Sequence, residues 1–508
     1  LYEPLNAFLT TQVGGRPVKL DVSREETFCN TRTRHSIEFD LAAGVDKDGR
    51  LLAKDMHSYS NQGAYASHGH AIAANGLTSW RLQYACPNIR GEAYTIYTNT
   101  PVGGAMRGYG IPQVCFAIES FMDDVANEIH MDPLEFRRKN LIQGYYEDAY
   151  LKPIAANTNG IFECLEKGAE YIHWDEKRKE YAEQAGDVRK GVGMALFSYK
   201  TGVWPISLEI AGARLSLNQD GSVQLMLGAT EIGQGADTVF SQMVAETLHT
   251  DMEHVHIKTV QDTDVSPFDT GAYASRQSFV TGTAVRHCAE ILRDKILAYA
   301  KTLLPEIDTR ELTLKDNWIW AGDEQAISLA ALAEESYYSL TNSSVLTSEV
   351  SEQVKKNTIA TGCCFAEVEV DIKLGKIKIL HIINVHDSGK LLNPQLAEMQ
   401  VHGGMSMGMG YGISEQLILD EKTGRPLNGN LLDYKLMTML DTPDIKADFV
   451  ELCDPMGPYG NKALGEPPAI PCAPAIRNAV LHATGVAFYE NPLTPQRLID
   501  GFKKAGLI

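Results

Sequence analysis

The chain has 508 residues, 44% of them hydrophobic and 22% charged, the balance of a globular protein of about two to four domains. Its formal net charge of −19 repels phosphate backbones and anionic lipid, which argues against a nucleic-acid or membrane-surface role. No stretch approaches the roughly 20 apolar residues of a bilayer span.

The chain opens on Leu1 rather than Met, without a basic-then-apolar leader, and reads as a piece of a longer protein. Nine cysteines are scattered without a C-x-x-C pair. That pattern predicts reduced thiols, no disulfide framework and a cytoplasmic home, with no ligand set for a structural zinc or an iron–sulfur cluster.

Taken in chain order, Arg16 to Ser23 and Ile37 to Leu41 are expected as strands, with a turn at Asp46–Gly49. Val114, Ala117, Ile118, Phe121, Val125 and Ile129 recur at helical spacing. A second helix is announced by Asp132 as cap, Pro133 at its first position and Glu135 completing a capping box. The polar, charged stretch 165–190 suits a linker or a surface helix, and a domain boundary is placed near 188.

Strands resume at Ala213–Leu217 and Val223–Leu227 around an Asn218–Gly221 turn. Next come a helix over Ala236–Leu248, a strand over Val255–Val260 and a long amphipathic helix over Thr283–Leu304. Residues 305–350 are less regular. Ala366–Ile372 and Lys376–Val385 are strands, Glu398–Gly412 is rich in glycine and methionine, and the final helix runs from about Pro474 to His482. Strands and helices interleave without a strict βαβ rhythm, so the class is α+β.

Four loops could carry chemistry. In Gly103–Gly110, glycines allow a close backbone approach to a ligand and Arg107 adds a fork of donors for an oxyanion. Gly228–Gly235 precedes a helix, whose first N–H groups can take an anion, although it is neither a Walker loop nor a dinucleotide fingerprint. Gly271–Ser278 offers small residues, hydroxyls and an amide. In Asn461–Pro468, Glu466 is set between Gly465 and two prolines, which stiffen the backbone around a carboxylate suited to general-base work. Taken singly, each of the first three loops serves equally as an ordinary turn or helix start, and for an isolated Glu-Pro-Pro a surface turn is the commoner reading. His68 and His70 could clamp a metal, but neither they nor His386 and His402 show a zinc spacing, and no G-x-S-x-G elbow supports a hydrolase.

The order and spacing of the loops carry more. Asn99–Gln113 resembles the arginine-bearing loop of the xanthine dehydrogenase and aldehyde oxidase family. Thr230–Gly235 is similar to that family's second cofactor loop, and Ala274-Ser275 to its third. Asp387-Ser388-Gly389, Leu392-Asn393-Pro394 and Gln400–Gly404 are similar to its C-terminal half, and Lys462–Pro468 to its most specific signature. The resemblance spans essentially the whole chain and is strongest to bacterial molybdenum subunits.

The resemblance implies two elongated molybdopterin-binding domains, 1–188 (the remainder of the first) and 189–508, with the cofactor between them. It implies molybdenum held by molybdopterin, as the cytosine dinucleotide in many bacteria, with 2Fe-2S clusters and FAD on partner subunits or domains. Ala105, Arg107, Gly233, Gln234, Gly235, Ala274 and Ser275 fall at cofactor-contacting positions, Glu466 at the catalytic base, and Tyr109 where an aromatic ring meets a flat substrate. No protein ligand to a metal is expected.

The implied reaction is hydroxylation of a purine or related heteroaromatic ring with oxygen from water, in a dimer of heteromers. The rest of the first lobe, with its Gly-Gly-Gly-Phe-Gly-Gly loop, is expected before Leu1. Met407 replaces a glutamine of many relatives, Asn75 stands where purine-specific relatives carry an orienting arginine, and Met106-Arg107 lacks the cysteine of carbon monoxide dehydrogenases. Two rival readings stand beside this one: an aldehyde oxidoreductase, and a non-catalytic cofactor-binding or assembly protein.

Overall fold

A computed structural model describes residues 2–143, 145–147, 153–155, 159–258 and 262–508. It opens with α1 (Glu3–Gln12) and α2 (Arg24–Asn30). Residues 16–23 form no strand: the segment contains Pro17 and ends at Ser23, which caps α2 in a reciprocal capping box with Glu26. A three-stranded sheet follows from β1 (Ile37–Val45), β2 (Leu51–Gly63) and β3 (Asn88–Tyr97), in that order. The parallel β2–β3 step is spanned by α3 (Gly69–Leu82).

Then come α4 (Ile111–Glu128) and α5 (Pro133–Asn140). Asp132 caps α5 through the N–H groups of Leu134 and Glu135. The expected capping box is not completed there, because the Glu135 carboxylate turns to Arg138 instead. Two short strands, β4 (Tyr145–Glu147) and β5 (Pro153–Ala155), lead to α6 (Ile161–Ile172) and α7 (Trp174–Glu180), so the charged 165–190 stretch is largely helical.

The remainder is organised on two four-stranded sheets. The first uses β6 (Val188–Lys200). The second uses β7 (Ile210–Leu217), β8 (Val223–Leu227) and β9 (Val255–Lys258), packed under α8 (Ala236–Leu248) and α9 (Gln277–Leu303). Residues 259 and 260, the end of the expected strand, lie outside the described residues. The long helix begins six residues earlier than expected, at Gln277. The 305–350 region is more regular than its polar turns suggest: it holds a meander of β10 (Leu312–Lys315), β11 (Trp318–Ala321) and β12 (Glu324–Ser328), then α10 (Leu329–Tyr338). After it β13 (Thr347–Gln353) closes the second sheet in the order β13-β7-β8-β9.

The first sheet is completed by β14 (Ile359–Asp371), β15 (Lys376–Asp387) and β16 (Asp444–Phe449), in the order β16-β15-β14-β6. On one face α6 meets Cys363, Phe365 and Val385; on the other lie α11 (Pro394–Ile413) and α12 (Cys472–Thr484). A further helix, α13 (Pro495–Lys504), follows the one expected to be last, capped by Thr494. One apolar cluster joins Leu51, Trp80 and Phe136 to Met194, Phe365 and Val385, so the interior runs continuously across residue 188. The class is α+β. All nine cysteines are free thiols, and among the described residues no helix is long and apolar enough to cross a membrane.

Candidate functional site

Three of the four glycine-bearing loops converge on Glu466. Its own loop is fastened upstream by a fully buried pair, Lys462 Nζ to Asp387 Oδ2 at 2.7 Å, at the end of β15. Downstream, Pro467–Ala469 make one 3₁₀ turn. Glu466 adopts φ −99°, ψ −36°, the helical region that a following proline disfavours. Compensation comes from its N–H, which donates to Ser275 Oγ at 2.9 Å.

The carboxylate is gripped from three directions. Oε1 accepts from the backbone N–H of Gly108 at 3.2 Å. Oε2 accepts a short hydrogen bond from the Tyr199 hydroxyl and a longer one, 3.4 Å, from Ser275 Oγ. Glu466 as a residue is half-buried, yet its carboxyl is enclosed enough for desolvation to push its pKa upward. Tyr199, Gly108, Arg107 and Ser275 pull the other way, and burial prevails. The result is a carboxylate of raised basicity, as a general base requires.

Arg107 is in place but not as a free fork. Its Nε donates to the Gly465 carbonyl at 2.6 Å and its Nη2 to the Gln400 carbonyl at 3.0 Å. Beneath it, Arg34 Nη2 donates to the Arg107 carbonyl at 2.9 Å and its guanidinium stacks on Tyr411. Tyr109, at φ 48°, turns its hydroxyl to His68 Nδ1 at 2.8 Å, and Asn75 Nδ2 donates to the Tyr109 carbonyl at 3.0 Å. His68 is thereby accounted for, and among the described residues no cluster of His, Cys, Asp and Glu could hold a metal.

The third loop places Ala274 and Ser275 both at φ 49°, a left-handed pair that costs non-glycine residues free energy. Gly202 N–H donates to the Ala274 carbonyl, and the next residue, Arg276, is locked between Glu209 and Asp269. The second loop is satisfied internally. The Glu231 carboxylate takes the N–H groups of Gly233, Gly235 and Asp237, at 2.7, 3.2 and 3.1 Å. The helix N-terminus expected as an anion site is therefore filled by the chain's own carboxylate. Burial pushes Glu231 up, but these N–H groups hold it below the ordinary carboxylate range. Gln234 spends its amide on Thr230 O, Gln277 Oε1 and Ile232 N–H, and so links this loop to α9 just beyond Ser275.

The surface around Glu466 can receive a ligand with many acceptors. Among the described residues nothing pairs with the backbone N–H groups of Ala105, Met106 and Arg107, or of Ala274 and Ser275. A Cβ on Gly233 would meet open space. Adjacent unpaired N–H groups on loops that are exposed at Ala105 and Met106 and half-buried at Arg107, Ala274 and Ser275 suit the phosphate and pterin acceptors of a molybdopterin. Sequence reasoning missed Tyr199, Glu231, Arg34 and Arg276. Only Glu231 carried a readable signal, as an acidic residue before a helix start.

A family model described as a molybdopterin cofactor-binding domain matches residues 1–141, and a second of the same description matches 167–443. The chain is 48% identical over 513 aligned residues to the xanthine dehydrogenase molybdenum-binding subunit of Escherichia coli O157:H7, covering 100% of this chain and 68% of that one. It is 27% identical to an aldehyde oxidoreductase molybdenum-binding subunit of the same organism, covering 98% and 65%. The crystal structure of quinoline 2-oxidoreductase from Pseudomonas putida 86 superposes with a TM-score of 0.89 at 24% identity, covering 98% of this chain and 66% of that one. The chain thus belongs to the xanthine dehydrogenase family of molybdenum hydroxylases, as a molybdopterin-binding subunit of an oxidoreductase.

Proposed function

We propose that this chain supplies the catalytic base and part of the cofactor cradle for hydroxylating a purine or related N-heteroaromatic substrate with oxygen from water. The observation that carries the reading is the Glu466 carboxylate, fixed by three donors where the Arg107 and Ser275 loops meet. Bound molybdenum–molybdopterin supplies Lewis acidity and a two-electron acceptor. The residues offered to hold it are Ala105, Arg107, Gly233, Gln234, Gly235, Ala274 and Ser275, the first and third loops through their unpaired N–H groups.

Glu466 takes the proton. Oε2 already receives two donors, so Oε1, held by Gly108 alone, is the accepting atom. Tyr109, beside Glu466 and with its phenol turned to His68, is the ring offered to a flat substrate. Electrons leave to 2Fe-2S clusters and FAD on partner subunits, and the cytosine dinucleotide form of the cofactor, a cytoplasmic dimer of heteromers, and domains 1–188 and 189–508 belong to the same proposal.

Glu466→Gln tests it. In the assembled enzyme, turnover per molybdenum is expected to fall about 10²–10⁴-fold, the range for a lost general base. Unchanged turnover at full molybdenum content overturns the reading and returns the chain to a non-catalytic cofactor-binding role.

One observation favours an aldehyde oxidoreductase instead. Asn75 is neutral and its amide is committed to Tyr109 O, so position 75 itself supplies no cation to orient a purine. Relative turnover of hypoxanthine and of aromatic aldehydes separates the two.

A further inference from the structure

Tyr199 lies near the end of β6, 267 residues from Glu466 in sequence, with its ring packed among Ile111, Cys115, Phe197, Ala360, Ala463 and Ile470. The residue is 3% exposed. Its position is fixed by the sheet, because β6 pairs with β14 along its whole length, Tyr199 opposite Ala360. The hydroxyl emerges from this apolar seat at the base of the Glu466 loop and donates to Oε2. Burial first, and the adjacent carboxylate second, push the phenol well above its ordinary range, so it stays protonated and keeps its proton to donate to the carboxylate.

We propose that Tyr199 is the positioning residue of the base: its hydroxyl, with Gly108 N–H and Ser275 Oγ, holds the Glu466 carboxylate charged and turns Oε1 toward the substrate. The inference rests on Glu466 being the base.

The alternatives for that task are few. A carboxylate drawn out of water favours the neutral acid unless hydrogen bonds or cations oppose it. From the 103–110 loop, Arg107 faces Glu466 but spends its guanidinium on Gly465 and Gln400. Tyr109 feels the carboxylate from the same loop, and Arg34 feels it from beneath. Ser275, ahead of α9, is a weaker donor at 3.4 Å and also accepts from Glu466 N–H. From β15 and α12, His386 and Cys472 face Arg107 rather than the carboxylate. Of the side chains that donate to the carboxylate, Tyr199 makes the closer bond.

The sign follows. Donation to the charged form lowers the carboxyl pKa, so losing the donor raises it. A hydrogen bond to a charged group corresponds to a shift of about one to two pH units. The base works only when ionised, so in Tyr199→Phe the acid limb of the kcat–pH profile moves to higher pH by about that amount. Plateau turnover falls far less than in Glu466→Gln. The carboxyl stretch of Glu466, followed by pH-difference infrared spectroscopy of the assembled enzyme and identified by its loss in Glu466→Gln, shifts in parallel.

An acid limb and a carboxyl titration that stay at their wild-type pH overturn the inference. Should Tyr199→Phe fail to assemble, 3-fluorotyrosine at position 199 keeps the shape and strengthens the donor. The limb must then move to lower pH, and no movement is equally fatal. If Glu466→Gln itself turns over normally, the base assignment falls; if only the Tyr199 variants leave the profile in place, this inference alone falls.

Discussion

Arg276 offers the sharpest test of how the site is held. Its side chain is 0% exposed, and its partners Glu209 and Asp269 are 1% and 0% exposed, each 2.6 Å away. The guanidinium also donates to the carbonyls of Gly271 at 3.0 Å and Ile210 at 2.9 Å. Asp269 further accepts from Thr281 and Gly271 N–H, and Glu209 from Val203 N–H, so one cation organises 202–210 and 269–281 together. Arg276→Met leaves two buried carboxylates without their cation. Stranding one buried charge costs about 3–5 kcal/mol, so the loss is expected at or above the lower figure.

Arg276→Lys keeps the charge but not the fork. It forfeits at least one charge-assisted bond, about 1.5–3 kcal/mol. The denaturant midpoint should therefore fall in the order Arg, Lys, Met, read by tryptophan fluorescence. Displaced Ser275 no longer accepts from Glu466 N–H, so turnover per molybdenum falls in the same order. A methionine variant with the wild-type midpoint, or a lysine variant no better than methionine, refutes the reasoning.

Two further outcomes can be checked directly. A Cβ on Gly404 would lie 2.4 Å from Pro468 Cβ and 3.0 Å from Ala469 N, so Gly404→Ala must push the Glu466 turn aside. Turnover per molybdenum should drop by more than tenfold, with overpacking costing about 1–3 kcal/mol; wild-type turnover would show that the turn yields freely. His386 is buried without a partner on either ring nitrogen, between Phe197 and Phe449, and burial, then Arg107, push it down to about 3. The unfolded chain protonates this histidine below about 6.5 while the folded one does not, so its contribution is full above pH 6.5 and is lost as pH falls toward 3, at up to about 1.4 kcal/mol per unit. His386→Phe should flatten the decline of the thermal midpoint between pH 6.5 and 4.5, and an equally steep decline counts against it.

Local signals located the elements whose patterns are local. α8 lies where the sequence places it, directly after the Gly228–Gly235 loop, and the β7–β8 hairpin follows from its Asn-Gln-Asp-Gly turn. The start of α9 was obscured because Gln277, Ser278, Thr281 and Gly282 look like loop residues. The structure buries Gln277 and Thr281 and brings the Met243 methyl to 2.8 Å from where a Cβ on Gly282 would sit, a tertiary reason for polar and small residues at this helix start. The Ser23–Glu26 box marks the start of a helix with no buried residue, and Thr494-Pro495 the start of a strongly amphipathic one, both by capping residues that stand in the sequence. Arg16–Ser23 failed the other way: β-forming residues without a partner strand make no sheet. The Glu466 loop stood out by its glycine and prolines, whereas Tyr199 acts on a residue 267 positions away and Arg276 joins its own loop to Glu209, 67 positions away, contacts that no sequence window contains.

The same distinction explains the glycine- and methionine-rich segment. Met405, Met407 and Met409 alternate in sequence, but on α11 only Met405 and Met409 share a face, and both are fully buried. Gly404, Gly408 and Gly412 recur every four residues and meet Pro468, Cys472 and Ala473 at 2.4, 2.8 and 3.2 Å from where a Cβ would sit. α11 therefore rides directly on the Glu466 turn and the start of α12. With Lys462–Asp387 upstream and the Arg276 network at the side, the proposed base rests on helix, sheet and buried ion pairs instead of on a loop alone. A carboxylate that must meet a proton at one oxygen gains from such support, because small displacements of a reacting group are costly in rate. The glycines that read as flexibility in the sequence act in the fold as close contacts that remove it.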